Sequence, residues 1–443
     1  METSLPIEQS FGMEFYSTDN PQIGGRLKER VDDFLVSEIT EDGRILEIVP
    51  SPTSSLEIKG KSNRFITMDV QKSGLTTMDV SFILASELKL PRQMVTYAGL
   101  KDKHAVTVQQ MSIPSSVSSL LQDLNLSRIN LSNLEYTRHP IQIGDLWGNR
   151  FTIHLTKIES EKDVALQTAE SLTKQPLMNY FGVQRFGVLK PPTHLIGREL
   201  VKDNFEEAIR IMLTTTNEYE REDLVEVRTK LSESFEFNER ILDRFPEDLR
   251  IERQVISFLI KNPGEYERAI SRIPQRIQTL IVHSYQSYLF NRLLSIRMKQ
   301  HLPIEKPVVG DFVMRLDRAH AGRDSWSYVT EKNLESTLDG CKSGLYSLVC
   351  PIPGYSTKTP PSAQTDILMD ILHDEGLKLQ DFRKSRNRYL DSAGGFHLAS
   401  ISLHDLESWT TDRGIVLQFT LRKGSYATVV MREIMRNHPI NRI

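Results

Sequence analysis

Residues 99–107 read Gly99-Leu100-Lys101-Asp102-Lys103-His104-Ala105-Val106-Thr107 and follow the short apolar run Val95-Thr96-Tyr97-Ala98. Gly99 allows a sharp exit from a strand. We therefore expect Asp102 at a strand end, where a rigid scaffold can direct its side chain toward a ligand. The flanking lysines favour the ionised carboxylate, which suits nucleophilic chemistry. A charged surface turn is the ordinary explanation for an isolated Lys-Asp-Lys triplet.

The composition is that of an ordinary soluble protein of two or three domains, with 443 residues, 39% hydrophobic and 26% charged. No apolar run approaches the ~20 residues needed to span a bilayer, and the first residues lack the basic-then-apolar order of a secretion signal. The two cysteines, Cys341 and Cys350, indicate a reducing compartment and a cytoplasmic protein. Without a CxxC pair, no zinc or other metal site is expected.

Charge is unevenly distributed around a net value of −3. Segments 383–388 and 421–443 are basic, whereas residues 217–253 are rich in Asp and Glu. Basic local faces on a nearly neutral chain fit a protein that binds a polyanion on one side. Solvated helix faces explain the charges equally well.

Hydrophobic periodicity predicts strands and helices in the first 175 residues and mainly helices after residue 176. Strands are predicted at Asp33–Ile39, Asn149–Leu155 and Val416–Leu421, and helices at Thr76–Leu90, 203–213, 220–235, 248–260, Gln275–Lys299 and 427–433. Residues 303–362 are predicted to be loop-rich, with a short strand near Phe312. The late strand indicates that a helical insertion interrupts a sheet, which the final strand rejoins.

Short polar and aromatic motifs stand beside several of these strands. They are Gly24-Gly25-Arg26-Leu27-Lys28, Gly148-Asn149-Arg150-Phe151, Asn179-Tyr180-Phe181-Gly182-Val183-Gln184-Arg185-Phe186-Gly187 and Gly424-Ser425-Tyr426-Ala427-Thr428. Aromatic rings stack on bases, amides read base edges and arginine binds phosphate. Tight packing in a core is the alternative explanation. The sequence holds no Walker loop, GxGxxG or HExxH motif, so it gives no support for nucleotide hydrolysis, a dehydrogenase or a zinc protease.

Taken in order, these motifs resemble the TruD family of tRNA pseudouridine synthases. The resemblance includes Ala98-Gly99-Leu100-Lys101-Asp102-Lys103, Lys28 with Asp33-Phe34-x-Val36-x-Glu38, and Lys423-Gly424-Ser425-Tyr426-Ala427-Thr428, and it covers nearly the whole chain. The opening Phe11-Gly12-Met13-Glu14-Phe15-Tyr16 looks more like archaeal than bacterial members. The chain departs from the family pattern at two places. Val31 stands where the family usually has proline before its Asp-Asp/Glu-Phe motif. Pro176-Leu177-Met178 stands where the family usually has Gly-x-Pro before the Asn179 motif.

The resemblance implies an α+β chain with the pseudouridine synthase fold, a mixed, mainly antiparallel sheet with helices and a central cleft. It implies a catalytic domain made of residues 1–175 and 399–443, and a helix-rich α/β insertion domain at 176–398. The implied activity is that of a cofactor-independent isomerase that converts uridine to pseudouridine at position 13 of tRNA. The implied partner is tRNA, with no membrane and no obligate protein partner, and the chain is expected to act as a monomer.

The resemblance also implies roles for individual residues. Asp102 matches the catalytic aspartate, which attacks C1′ or removes a proton at C2′. Phe34, Asn149 and Tyr426 match positions that contact the target nucleotide, and bacterial relatives carry Phe in place of Tyr426. Lys28 or a neighbouring lysine is expected to pair with Asp102. Phe151 is expected to wall the site.

Two other functions fit parts of the same sequence. An aspartyl-phosphate phosphatase would need a second aspartate two residues after Asp102, where the chain has His104. A non-catalytic RNA-binding module would use the same aromatic and basic clusters, but it has no need for a carboxylate in a phosphate-facing site. A purely structural scaffold does not explain the polar and aromatic motifs at strand edges.

Overall fold

The computed structural model of the chain describes residues 1–49, 57–124, 126–187, 192–316, 326–384 and 386–442. The chain divides into two compact units. The sheet unit comprises Ser17–Leu177, Arg315–Ser325 and Ile401–Ile443, and the helical unit comprises Met1–Tyr16, Met178–Met314 and Trp326–Ser400. Within the described ranges, no helix has both the length and the apolar character required to cross a membrane.

The sheet unit is built on a ten-stranded mixed sheet that is mainly antiparallel. Its order is β15-β16-β8-β2-β6-β4-β7-β3, with β1 added to β8 and β5 added to β6. The parallel pairs in the described sheet are β2 with β6 and β3 with β7. The strands are β1 Gly24–Arg26, β2 Phe34–Ile39, β3 Ile58–Lys59, β4 Phe65–Ser73, β5 Thr96–Tyr97, β6 Val106–Pro114, β7 Ile129–Thr137, β8 Gly148–Ile158, β15 His404–Thr411 and β16 Gly414–Arg422.

The late strand predicted at 416–421 is confirmed as part of β16, and it rejoins the first sheet by pairing with β8. Leu421 lies opposite Asn149, and Arg422 lies opposite Gly148. A Cβ atom at Gly148 would stand 2.1 Å from the carbonyl oxygen of Leu421. The close approach of these two strands therefore requires glycine at position 148.

Among its described residues, the sheet unit has three α-helices, α2 Thr77–Glu87, α3 Lys162–Ser171 and α13 Ala427–Met435. Helix α2 begins with a capping box, because the Thr76 hydroxyl accepts from the Asp79 amide at 3.0 Å and the Asp79 carboxylate accepts from the Thr76 amide at 2.8 Å. Leu84 of α2 and Leu88, the residue that follows the helix, are buried. Phe82 of the same helix is exposed.

Helix α10 runs from Gln275 to Lys299, as the sequence predicts, and packs against α4 and α12 of the helical unit. A Cβ atom at Gly197 of α4 would stand 2.4 Å from the Ile281 carbonyl oxygen, so glycine permits the close contact between α4 and α10. The helices are α1 Pro6–Ser10, α4 Thr193–Val201, α5 Phe205–Thr214, α6 Glu222–Ser234, α7 Glu239–Arg244, α8 Arg250–Lys261, α9 Tyr266–Arg272, α10 Gln275–Lys299, α11 Leu334–Lys342 and α12 Ala363–Asp374.

A four-stranded sheet in the order β11-β10-β12-β13 accompanies these helices. Its strands are β10 Phe312–Arg315, β11 Trp326–Tyr328, β12 Tyr346–Ile352 and β13 Gly395–Leu398. The short strands β9 Leu177–Met178 and β14 Ser400–Ile401 form a separate pair. The prediction that 303–362 is loop-rich is therefore wrong for α11 and β12, while residues 317–325 lie outside the described residues.

The basic C-terminal segment does not form the exposed face that its charge predicts. Arg432, Arg436 and Arg442 are buried. The guanidinium of Arg436 donates to the carbonyl oxygen of Thr18 at 2.7 Å, and its charge is used inside the unit. The net charge of a segment does not show whether its charged side chains face solvent. In this segment, Arg432, Arg436 and Arg442 lie in the interior.

The helical unit includes Met1–Tyr16 together with Met178–Ser400, apart from the stretch that belongs to the sheet unit. The assignment of 1–175 and 399–443 to a catalytic domain, and of 176–398 to an insertion domain, stays a prediction about what each part does.

Candidate active site

One face of the large sheet carries most of the predicted site residues. Side chains alternate along a strand, and directly opposite residues of paired strands point to the same face. The register therefore groups Phe34, Val36 and Glu38 of β2 with Ile153, Phe151 and Asn149 of β8. The pairing of β2 with β6 and of β6 with β4 adds Gln109 and Lys72 to this face.

The loop that carries Asp102, residues 98–105, is fixed to this face by polar side chains. Gln109 donates from Nε2 to the Gly99 carbonyl oxygen at 2.9 Å. The Lys101 amide donates to the hydroxyl of Thr77, the first residue of α2, at 2.9 Å. The same hydroxyl donates to Gln109 Oε1 at 2.8 Å. The main chain just before Asp102 is thus held by β6 and by the start of α2.

Asp102 presents a half-exposed carboxylate, with 44% of its side chain accessible. Lys28 Nζ donates to its Oδ2 at 3.2 Å, and the Lys28 side chain is 7% exposed. Among the described residues, no side chain or amide donates to Oδ1. The lysine that pairs with Asp102 is therefore Lys28, and one carboxylate oxygen stays open to solvent.

Lys28 also connects Asp102 to Phe34. Its ammonium lies 4.5 Å from the centroid of the Phe34 ring, within cation–π range. The backbone of Lys28 adopts a left-handed conformation with φ +57°, which costs a non-glycine residue roughly 1–3 kcal/mol. Lys28 adopts this unfavourable conformation, and its ammonium contacts both Asp102 and Phe34.

The positions of Lys101 and Lys103 in the sequence predict that they pair with the Asp102 carboxylate, but Lys28 is the lysine that does so. The Lys101 ammonium lies 2.7 Å from Glu38 Oε2 and donates to Asn149 Oδ1 at 2.6 Å, and both charged groups of the pair are buried. Glu38 Oε1 accepts from the Gln110 amide at 2.9 Å. Lys103 is exposed. Lys101 therefore joins the loop to β2 and β8, and it fixes the amide of Asn149.

The aromatic residues differ in how much of each ring is accessible. Phe34 is 1% exposed and contacts Phe151 edge-on, with ring centroids 6.1 Å apart. Phe151 is buried as well and packs against Phe419 at 5.8 Å. Tyr426, the residue before α13, is 41% exposed. Of these aromatic residues, Tyr426 has the open ring surface that stacking on a base needs.

The structure thus brings Asp102, Lys28, Phe34 and Phe151 together through direct contacts, and it links Asn149 to their loop through Lys101. No hydrogen bond, ion pair or ring contact within the described ranges joins Tyr426 to this group. Tyr426 follows β16 by four residues, and β16 pairs with β8 beside Asn149. It therefore lies beyond the end of β16 that adjoins Asn149.

Lys72 was missed by sequence reasoning. It lies on β4, its side chain is 1% exposed, and its Nζ donates to the main-chain carbonyl oxygen of Asp102 at 2.6 Å. Burial lowers the pKa of Lys72 to about 8, against the opposing attraction of Asp102. A signal was present, because Ile66, Met68 and Val70 alternate inward on this strand and a lysine occupies the next inward position.

The basic segment 383–388 lies in the helical unit, and Ser385 is outside the described residues. Lys384 is already engaged, with Nζ 2.8 Å from Asp203 Oδ1. Arg383, Arg386 and Arg388 are exposed. Within the described residues, no group of three or more His, Cys, Asp or Glu side chains is arranged to hold a metal ion.

Comparison with known proteins gives consistent matches over the chain. Residues 10–434 match the family model described as tRNA pseudouridine synthase D (TruD). The chain is 32% identical over 454 residues to "Probable tRNA pseudouridine synthase D" of Methanosarcina acetivorans, with 98% of each chain covered. It is 30% identical to the protein of the same name in Archaeoglobus fulgidus, with 97% of this chain and 99% of the relative covered.

Among solved structures, the fold matches the crystal structure assigned as tRNA pseudouridine synthase D (TruD) of Methanosarcina mazei. The TM-score is 0.82 at 29% sequence identity, and the match covers 100% of both chains. The similarity therefore covers both compact units.

Proposed function

The chain belongs to the TruD family of tRNA pseudouridine synthases, and from this premise we propose that it isomerises uridine 13 of tRNA to pseudouridine, with Asp102 as the attacking group. The observation that carries the proposal is the Asp102 carboxylate, half-exposed, paired with Lys28 through one oxygen and open at the other. We propose that the reaction takes place in the cytoplasm, on tRNA, with the chain acting as a monomer.

The chemistry needs such a carboxylate. The N1–C1′ glycosidic bond breaks, the uracil ring turns, and a C5–C1′ bond forms. C5 loses its proton and N1 gains one, so the product is an isomer and no electrons are exchanged with a cofactor. Attack of Asp102 on C1′ would hold the ribose while the base turns, as covalent catalysis divides one difficult step into two. Removal of a proton at C2′ would use the same carboxylate.

The surrounding residues support this role. The ammonium of Lys28 donates to Oδ2 and orients the carboxylate of the attacking group. Uridine 13 must leave its stack before the carboxylate can reach C1′. Tyr426 offers an exposed ring for the extruded base, and such stacking is worth roughly 1–3 kcal/mol. Phe34 and Phe151 would form an apolar wall behind the reacting ring, which limits loss of detached uracil to water.

The test is Asp102→Asn, which keeps the shape of the side chain and removes its nucleophile. The substrate is tRNA labelled with tritium at C5 of uridine, because formation of the C5–C1′ bond releases that label. The matched control is Asp163→Asn, an exposed aspartate on α3 of the same unit. We expect Asp102→Asn to bind tRNA without releasing tritium, and Asp163→Asn to react like the wild type.

Tritium release at the wild-type rate by Asp102→Asn would refute the proposed role of Asp102. A non-catalytic RNA-binding protein would bind tRNA and release no label even in the wild type. A second substrate with cytidine at position 13 tests the position, since unchanged release from that tRNA would refute uridine 13 as the target.

A further inference from the structure

Lys72 occupies a position where a lysine is costly. It lies near the end of β4, paired with Thr107 of β6 on one side and Ile129 of β7 on the other. Its side chain is 1% exposed. Burying an ammonium is unfavourable unless a partner compensates for the lost water. The partner present should therefore indicate what the lysine does.

That partner is the main chain of Asp102. Lys72 Nζ donates to the Asp102 carbonyl oxygen at 2.6 Å, a short charge-assisted hydrogen bond. Within the described part of the chain, Lys72 forms no ion pair with a carboxylate. The buried charge is thus directed at the peptide group of the residue whose side chain attacks the substrate.

The other contacts of the loop show what Lys72 adds. Gly99 and Lys101 are held upstream by neutral hydrogen bonds from Gln109 and to Thr77. Lys28 holds the side chain of Asp102. Between these anchors, the carbonyl group of Asp102 is fixed by Lys72. Rotation of that peptide would turn the Cα–Cβ direction of Asp102 and move its carboxylate.

We propose that Lys72 is a positioning residue for the isomerisation, which fixes the peptide of Asp102 so that its free carboxylate oxygen faces C1′ of the bound uridine. This inference rests on the proposed function. Lys72 touches neither the substrate nor the reacting atoms, and it acts through Asp102. Its positive charge also adds to that of Lys28, which donates to the carboxylate of the same residue.

The ionisation of Lys72 gives this role a measurable signature. Burial lowers its pKa to about 8, and the charged groups that act on it are Asp102 and Lys101 of the loop and Asp79 of α2. Asp102 and Asp79 favour the ammonium, whereas Lys101 disfavours it. Above about pH 8 the amine becomes neutral, and its hydrogen bond to the Asp102 carbonyl weakens because neutral donors form weaker bonds.

The experiment compares Lys72→Met with the wild type by steady-state tritium release from tRNA between about pH 6.5 and about pH 9.5. Misplacement of a reacting group by about 1 Å costs on the order of 10²-fold in rate. We expect kcat of Lys72→Met to fall by that order while KM changes less than about twofold, since tRNA binding is untouched. The wild-type decline in kcat near pH 8 should be absent from the variant.

The matched control is Lys162→Met, which removes another hydrogen bond from a lysine to a carbonyl oxygen, that of Thr411 at 2.7 Å, in the same unit. Its kcat should stay at the wild-type value. Lys72→Met should unfold at a temperature no lower than the wild type, because methionine fills the same space without a buried charge. A fall in kcat without a fall in stability separates positioning from folding.

A wild-type kcat that stays level through pH 8, or a Lys72→Met kcat within about threefold of the wild type, would overturn the inference. If Lys72→Met does not fold, Lys72→Arg keeps a charge at all these pH values, and the decline near pH 8 should then be absent. Should Asp102→Asn be inactive while Lys72→Met is normal, only this inference fails. Activity of Asp102→Asn would remove the proposed function itself.

Discussion

The two lysines that flank Asp102 in the sequence should differ sharply in their effect on stability. Lys101 forms an ion pair with Glu38 at 2.7 Å, with side chains 5% and 0% exposed. Replacing Lys101 by methionine leaves the Glu38 carboxylate buried without its cation. Breaking a buried pair in this way destabilises a protein by about 3–5 kcal/mol. Lys103 is exposed, so Lys103→Met should change the free energy of unfolding by less than about 0.5 kcal/mol.

These values convert to a measurable shift in Tm. For a unit of this size, each kcal/mol corresponds to about 2–4 °C, so Lys101→Met should lower Tm by about 6–20 °C. Unfolding can be followed by tryptophan fluorescence in a Trp326→Phe background. The remaining tryptophans, Trp147 and Trp409, both lie in the sheet unit. The signal then reports that unit alone.

A second substitution tests the cause. Glu38→Gln removes the lone charge and keeps an oxygen that can accept from the Gln110 amide, as Glu38 Oε1 does now at 2.9 Å. The double variant Glu38→Gln/Lys101→Met should therefore recover more than half of the stability lost in Lys101→Met. A Tm within about 2 °C of the wild type for Lys101→Met, or no recovery in the double variant, would refute the reasoning.

Two further results are expected. Burial alone would raise the pKa of Asp33, but hydrogen bonds from Arg413 at 2.7 and 3.0 Å and from the Arg30 amide hold it below its usual value. This stabilisation is present above the ordinary pKa of 3.8 and is lost as pH falls through the lower pKa of the folded state. Arg413→Met should therefore be less stable than the wild type at pH 7. The difference in free energy of unfolding, measured by urea titration, should shrink as the pH is lowered. Tyr426→Phe should keep tRNA turnover near normal because the ring remains, whereas Tyr426→Ala should lose roughly 1–3 kcal/mol of base stacking; equal kinetics for the two variants would contradict the stacking role.

Long periodic segments and ordered motifs were readable from the sequence. The alternation around Phe34 and Phe151 predicts strands that the structure contains, and the hydrophobic periodicity of Gln275–Lys299 predicts α10 to the residue. The family motifs identified the fold class. Local pattern and residue order carry this information because strand alternation and helical spacing depend only on neighbours in the chain.

The sequence did not show which charged side chains face solvent and which are buried. Lys101 and Lys103 are equivalent in the sequence, yet one is buried against Glu38 and the other faces solvent. Arg432 and Arg436 look like surface charge and lie inside the unit. Both outcomes depend on partners that are distant in sequence, Glu38 for Lys101 and Thr18 for Arg436. A single sequence does not specify such contacts.

The strand β12 was missed for a related reason. The segment around Tyr346 is a short apolar run that contains Pro351, which read as a turn signal. In the structure this run is an inner strand of the four-stranded sheet, between β10 and β13. Tertiary pairing overrode the local preference, because strand formation depends on cross-strand packing and burial.

The pairing of β16 with β8 sets the order in which the protein can fold during synthesis. Gln418 and Thr152, which are hydrogen-bonded across these strands, are 266 residues apart. While a ribosome makes the intervening chain, the edge of β8 that β16 will cover stays open to other strands, and such edges promote aggregation. Contacts this distant form slowly. The half of the sheet that adjoins Asn149 is therefore completed late in translation, and a nascent chain that stalls before β16 emerges has an unprotected edge beside the proposed site.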